Sequence, residues 1–360
     1  MKSFSCIAYY LGQFHPTPEN NEFWGEGFTE WHTVARARPL YPYHSQPALP
    51  GRLGFYDLRH DNTLRDQIDL AVDSGIDAFC HWHYWFAGRR ALHLPLDRMV
   101  ALNHKRFRFI LGWANESWTG IWHGASDRML IEQSYNEREV CAHGELIASY
   151  IRTGYYLRVN ETFPLVIYKP NNIPDPNTYL RRLRDAVYEF CGERLYLIGN
   201  WTAGRRGIIK EPSAIGLDAV VITPVAAYFP NQLAQDLYSG IWQTLRRFGV
   251  GPEIRSYRDT IRTMMVAPDS IAGVSHATVV TGWDNTPRSG RRGLVLRGYN
   301  KERFAEAITK AISHEMRNPS PLLFIKSWNE WAEGNVLEPQ FRERWSALQT
   351  LRTSLGKHRT

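Results

Sequence analysis

A (β/α)8 barrel is the fold this chain predicts, and three observations predict it. Eight short apolar runs recur along its 360 residues. Several are almost wholly apolar, as strands covered on both faces of a parallel sheet must be. Helical patterns fall between them, giving the βα alternation a barrel demands. The runs are residues 4–10, 76–81, 107–113, 165–168, 195–200, 219–223, 273–281 and 322–327. An open doubly wound sheet uses strands of the same type and stays an alternative, because the pattern constrains strand type better than closure.

The helices follow in order. Leu64, Ile68, Ala71 and Val72 share a helical face after the start signal Asp61-Asn62-Thr63, and Gly75 can end that helix. Leu180, Leu183, Val187 and Phe190 mark a second, after the turn-rich Pro174-Asp175-Pro176. Phe304, Ile308, Ala311, Ile312 and Glu315 outline a third, closed by Asn318-Pro319. No linker, repeat or low-complexity tract interrupts the chain, so residues 1–360 read as one barrel unit. Residues 13–60 are far longer than an ordinary βα loop and rich in Pro, His, Trp and Glu. They read as a folded rim or lid on the C-terminal face. A second long irregular stretch covers 114–136, and the tail 356–360 reads as loose.

Composition narrows the function. No run is apolar and long enough to span a membrane, and the first residues read as a strand rather than a secretory leader, so a cytoplasmic location is expected. Cys6, Cys80, Cys141 and Cys191 form neither a C-x-x-C pair nor a metal cluster and read as small buried side chains. The net charge of +7 is dispersed over short clusters at Arg181-Arg182, Arg205-Arg206, Arg246-Arg247 and Arg288 to Arg292. A nucleic-acid binder would gather them into one stripe. Arg291 and Arg292 could meet an anionic sugar or a diphosphate. The basic charge is compatible with peripheral membrane contact, although no amphipathic helix argues for it. Oligomeric state is not legible. Aromatic residues make up 13% of the chain and cluster beside His, Asn and Glu. Flat ring faces suit the C–H side of a sugar, and neighbouring amides and carboxylates suit its hydroxyls. An oligosaccharide or polysaccharide substrate is therefore expected.

The sharpest local signal is the run from Phe324 to Gly334, in which an apolar strand enters the turn Trp328-Asn329-Glu330-Trp331-Ala332-Glu333. In a barrel this puts Glu330 and Glu333 at the C-terminal mouth, three residues apart on one side of a helical turn. Nearby carboxylates suppress each other's ionisation, so one keeps a proton as its partner acts as base, the two roles that glycosidic cleavage needs. Trp328 and Trp331 would lower the local dielectric, and Asn329 could bind a hydroxyl or orient a carboxylate. Other binding candidates end other strands: Gln13, His15, Glu26, Glu30 and Trp31 in the first loop, His81, His83, Tyr84 and Trp85 after the second strand, Asn115, Glu116 and Trp118 after the third, and Trp283, Asp284, Asn285 and Arg288 after the seventh. His81 and His83 with His15 or Glu26 could make a metal site, but no ligand set announces itself, and neither metal nor cofactor is expected. Dinucleotide, P-loop and nucleophile-elbow motifs are absent from the sequence.

Several longer motifs carry a resemblance: Tyr9-Tyr10-Leu11-Gly12-Gln13-Phe14-His15-Pro16, Trp24-Gly25-Glu26-Gly27-Phe28-Thr29-Glu30-Trp31, Gly54-Phe55-Tyr56-Asp57-Leu58-Arg59, His83-Tyr84-Trp85-Phe86, Trp113-Ala114-Asn115-Glu116, Gly282-Trp283-Asp284-Asn285-Thr286-Pro287-Arg288 and the Trp328–Gly334 run. Together they resemble the WbsX-type family of polysaccharide and O-antigen biosynthesis, itself related to glycoside hydrolase family 99. The resemblance implies a retaining reaction in which Glu330 helps the sugar 2-hydroxyl attack its own anomeric carbon, giving a 1,2-anhydro sugar. It implies Glu333 as general acid/base. Ala332 departs from the histidine often seen at that position in the hydrolases. By the same analogy, assembly of lipid-linked glycans on the inner membrane face would explain a cytoplasmic enzyme. Three other readings stay open: a Glu116 acid with a Glu330 nucleophile, a nucleotide-sugar-dependent glycosyltransferase, and a non-catalytic glycan-binding protein.

Overall fold

The computed structural model describes residues 4–119, 129–202, 211–223, 248–266, 271–342 and 346–359, with isolated positions between 209 and 245. The basic pairs Arg205-Arg206 and Arg246-Arg247, and residues 120–128 of the second irregular stretch, lie outside the described residues. All eight expected strands form: β1 (Ser5–Tyr10), β2 (Ala78–Phe86), β3 (Phe109–Trp113), β4 (Thr162–Ile167), β5 (Arg194–Thr202), β6 (Ala219–Thr223), β7 (Val274–Val280) and β8 (Leu322–Lys326). They pair in parallel around a ring, and closure rests on β1, which meets β8 on one edge (Ile7 beside Phe324) and β2 on the other (Tyr9 beside Cys80). A sheet without free edges is a barrel, which removes the doubly wound alternative. β2 runs past its expected end to Phe86 because Tyr84–Phe86 turns back as a hairpin on Arg89–Ala91.

The rim insertion carries α1 (Pro18–Trp24) and α2 (Glu30–Arg36). The outer layer comprises α3 (Asp61–Asp73), α4 (Leu94–Ala101), α5 (Glu137–Arg152), α6 (Pro176–Cys191), α7 (Tyr257–Val266), α8 (Lys301–Glu315) and α9 (Ala347–Arg359). α6 starts where Asp175 accepts from the Thr178 amide at 3.2 Å and stops at left-handed Gly192. Its Phe190, read as part of the apolar face, is exposed instead. Residues 356–359 of the tail are helical rather than loose. α9 extends to Arg359 because Leu351 and Leu355 are buried and Arg359 ion-pairs with Asp77 while its guanidinium lies 5.0 Å from the Phe4 ring. All four cysteines are free thiols. Cys6 and Cys80 are buried as expected, but Cys141 is exposed on α5 and Cys191 half-buried. Among the described residues no helix is long and apolar enough to cross a membrane.

Glu315, counted at sequence level in the apolar stripe of α8, occupies that buried position for a polar reason. Its carboxylate accepts from the amides of Ala277 (2.6 Å) and Leu322 (3.0 Å), from Asn318 Nδ2 (3.0 Å) and from His276 Nδ1 (3.0 Å). It thereby ties α8 to β7 and the start of β8. Glu315→Ala would orphan these donors, and a loss of about 3–5 kcal/mol in chemical denaturation is expected.

Candidate active site

The last strand delivers the acidic turn by a specific local route. After β8, Asn329–Glu330 pairs antiparallel with Asn335–Val336, and a 3-10 turn at Trp331–Glu333 joins the two. Side chains three apart eclipse in such a turn, so Glu330 and Glu333 emerge on the same side. Gly334 closes it at φ +63°, where a Cβ would come within 2.7 Å of the Asp284 amide nitrogen. Behind the turn, Ser327 Oγ donates to the Asn335 carbonyl and accepts from the Glu330 amide. Trp331 is buried and donates through Nε1 to Glu338, a buried carboxyl that also accepts from Tyr56 and Gln67.

The Asn-Glu dipeptides that follow β3 and β8 are aimed by the same device. Asn329 accepts from the Leu11 amide at 2.8 Å and donates to the Leu11 carbonyl at 3.0 Å. Asn115 does likewise with Lys169, at 2.7 and 2.8 Å. Each side-chain amide acts as a surrogate peptide that adds one rung to the parallel ladder at the rim. The glutamate that follows is thereby held at a set height above the barrel.

The two carboxylates converge on one cation. Arg288, on a four-residue helix (Thr286–Ser289) after β7, donates from NH1 to Glu333 at 2.8 Å, from NH2 to Glu330 at 3.3 Å and from Nε to Glu30 of α2 at 2.9 Å. Its side chain is only 15% exposed, and the three carboxylates keep it charged. The rim insertion thus supplies a member of the cluster. Burial, then repulsion from Glu333, pushes Glu330 up to about 7. Burial alone would raise Glu333 too, but Arg288 and then Lys326 hold it below the ordinary carboxylate range. Identical residues three positions apart are therefore biased in opposite directions, Glu330 toward its protonated form and Glu333 toward its ionised one.

Lys326, the last residue of β8, was not singled out from the sequence. Its ammonium is 3.9 Å from Glu333 and 5.5–6.0 Å from the ring centres of Tyr9, Trp82 and Trp283. Also missed were His44 and Gln46, which both donate to Asp284 at 2.7 Å and so pin the rim insertion to the loop after β7. The long irregular loop that holds them was legible, but the pairing partners were not.

The remaining sequence candidates separate by depth. Tyr84 stands near the cluster, and burial followed by Glu330 raises its phenol pKa. Trp118 packs edge-on against Tyr84 at 5.3 Å. Trp283 is half-buried, and Asn285 is used in accepting from the Leu294 amide. Glu116 ion-pairs with Lys169 and takes no part in the Arg288 cluster. Gln13 donates to Asn20, while Glu26 is exposed on the rim. His15, His81, His83, Trp31, Trp85, Trp328 and Trp331 are buried in packing. His83 meets His143 at 3.1 Å, Trp85 stacks on His143, His81 packs on Tyr10, and Trp31 donates to the Tyr56 carbonyl. The alternative metal site does not assemble: among the described residues no three His, Cys, Asp or Glu side chains gather in a ligating group. Arg291 and Arg292 are exposed on the surface.

Comparison with known proteins agrees with this architecture. The solved GH99 endo-α-mannosidase from Bacteroides thetaiotaomicron, in complex with bis-tris-propane, superposes with a TM-score of 0.56 at 15% identity, covering 100% of this chain and 98% of that one. A protein described as glycoside hydrolase-like gives 0.60 at 13% identity, covering 100% and 95%. At those identities the likeness is one of fold. In sequence, the uncharacterized protein WxcX of Xanthomonas campestris pv. campestris is 35% identical over 98% of this chain. The chain spans about half the length of these curated relatives. This chain shares the barrel fold of the two solved structures. Its match to the family described as Glycosyltransferase WbsX runs over residues 6–351, and the chain belongs to that family.

Proposed function

We propose that this site cleaves or transfers a glycosidic bond within a bacterial polysaccharide or O-antigen-type glycan. The observation that carries the reading is the unequal carboxyl pair at the barrel mouth, Glu330 pushed up to about 7 and Glu333 held down, joined by one buried arginine. Such a pair supplies both proton transfers of acetal chemistry. In a retaining 1,2-anhydro course, one carboxylate takes the proton of the sugar 2-hydroxyl as its oxygen bonds to the anomeric carbon. The anomeric C–O bond breaks with its electron pair going to the leaving oxygen, which takes a proton from the other carboxyl. Water or an acceptor hydroxyl then opens the three-membered ring, and the two protons return. The resemblance assigns the base to Glu330 and the acid to Glu333. The raised pKa of Glu330 favours the reverse order, and the variants discussed below separate the two.

A nucleotide-sugar reaction would need free cations for a departing diphosphate. Arg288 directs its donors at three carboxylates and Lys326 stands beside Glu333, so both cations of the cluster already face acids, which favours a preformed glycosidic bond as donor. A panel of defined bacterial oligosaccharides incubated in 18O-water and read by mass spectrometry tests the proposal. Cleavage with one label per new reducing end, or transfer to an added acceptor, is expected. Sugar transfer from a nucleotide sugar with every glycan left intact would overturn it.

A further inference from the structure

We infer that Lys326 is a positioning residue that sides with Glu333 in the carboxyl pair, an inference that rests on the proposed use of Glu330 and Glu333 as a pair. Arg288 touches both acids, Glu333 at 2.8 Å and Glu330 at 3.3 Å, and lowers both. Lys326 touches only one. Its ammonium stands 3.9 Å from Glu333, and among the described residues it makes no ion pair with Glu330, which it lowers from farther away.

The way Lys326 is held explains why it acts by charge. It is the last residue of β8, and its side chain, 12% exposed, rises into the mouth between rings carried by three other elements: Tyr9 on β1, Trp82 on β2 and Trp283 after β7. Among the described residues its ammonium donates no hydrogen bond within 3.5 Å. Tyr9 and Trp82 stack on each other at 5.1 Å, which makes that wall rigid. Ring faces attract a cation without directing its N–H groups. The lysine is thus fixed in place while its charge stays uncompensated by any short bond, and the nearest carboxylate feels it at low dielectric.

The other groups facing Glu333 do not supply the same asymmetry. Glu30 lies across Arg288 and is balanced by it, and Tyr84 is a neutral phenol. Asp284 has its carboxylate turned to His44, Gln46 and Thr286 and offers Glu333 only its backbone amide, which donates to the Glu333 carbonyl at 2.7 Å. Asn335 adds one amide at 3.3 Å, a neutral donor. Charge counting gives the same answer. Glu30, Glu330 and Glu333 face Arg288 and Lys326, so a single proton neutralises the cluster. The second cation, by siding with Glu333, leaves that proton to Glu330.

The test uses the full chain with 13C-labelled glutamate carboxyls, titrated by NMR, with Glu330→Gln and Glu333→Gln assigning the two signals. In Lys326→Met, whose side chain fills the ring cage without charge, the Glu333 midpoint is expected to rise by about 1–3 pH units. The Glu330 midpoint should move less, and Lys326→Arg should restore most of the separation. Lys310→Met, a surface control paired only with Glu306, should leave both signals in place. Equal movement of both carboxyls, or none, in Lys326→Met would overturn the inference, and the arginine variant carries the test if the methionine variant does not fold. Because the titration needs no substrate, its failure is distinct from a failure to find glycosidic turnover.

Discussion

Glu330→Gln and Glu333→Gln are each expected to lower turnover of an unactivated glycan by about 10²–10⁴-fold, the span ordinarily carried by one general acid or base. Glutamine keeps the shape of either side chain, and Arg288 retains two carboxylates in each variant, so far-UV circular dichroism and melting should change little. The double variant should lose scarcely more than the worse single, because the pair acts as a unit. A donor whose leaving group needs no proton, such as a dinitrophenyl glycoside, divides the roles. It should rescue the variant of the acid and leave the variant of the base inactive. Rescue of Glu330→Gln would match its raised pKa, and rescue of Glu333→Gln the order implied by family resemblance. Rescue of neither, with wild-type activity intact, would remove both carboxyls from proton transfer to the leaving oxygen. The pH profile carries its own sign. With Glu330 pushed up to about 7 as proton donor, activity falls as pH rises through that value. With Glu333 depressed and needed ionised, activity also falls well below pH 4.5. A profile rising monotonically from pH 6 to 9 would contradict this assignment.

What the sequence revealed, and what it hid, follows from the range of the interactions involved. Strands such as 219–223 are legible because a strand buried on both faces must be apolar throughout, and Ala219–Thr223 forms as read. Glu330, Glu333 and Arg288 are legible because polar, acidic and basic residues at apolar strand ends are costly without a purpose. Their common geometry is not, since nothing in the chain says that a guanidinium 42 positions away from Glu330 will bridge them. Lys326 escaped notice because a lysine ending a strand usually marks solvent. Only β1, β2 and β7 together supply the rings that enclose it. The burial of Trp31, Trp328 and Trp331 was hidden as well. Tryptophan in a polar loop suggests a sugar platform, yet each is buried, and Trp31 meets Trp331 at 5.6 Å as the wall that joins rim to turn. The tail 356–360 shows the same limit: a short polar ending reads as frayed until Asp77 and Phe4 are seen waiting for Arg359.

Arg288→Met should be the most destabilising single change in the site. The methionine approximates the volume of the arginine stem but leaves Glu30, Glu330 and Glu333 facing one another without the guanidinium that bonds all three. Breaking a buried pair by removing one partner costs about 3–5 kcal/mol, because the remaining charge is desolvated and uncompensated. Here three carboxyls share that fate, although each can escape by taking up a proton. That escape makes the effect pH-dependent with a definite sign. In the wild type Glu333 is depressed, so its contribution is present above the unfolded carboxyl range and is lost as pH falls through the lowered value. In Arg288→Met the same carboxyls titrate above their unfolded range, so their folded state loses stability as pH rises. The gap between wild type and variant in urea denaturation should therefore be largest at pH 8 and narrow steadily toward pH 4. A gap independent of pH would mean that lost packing, rather than lost charge compensation, explains the variant. It would also mean that Arg288 does not set the protonation of the carboxyls it touches.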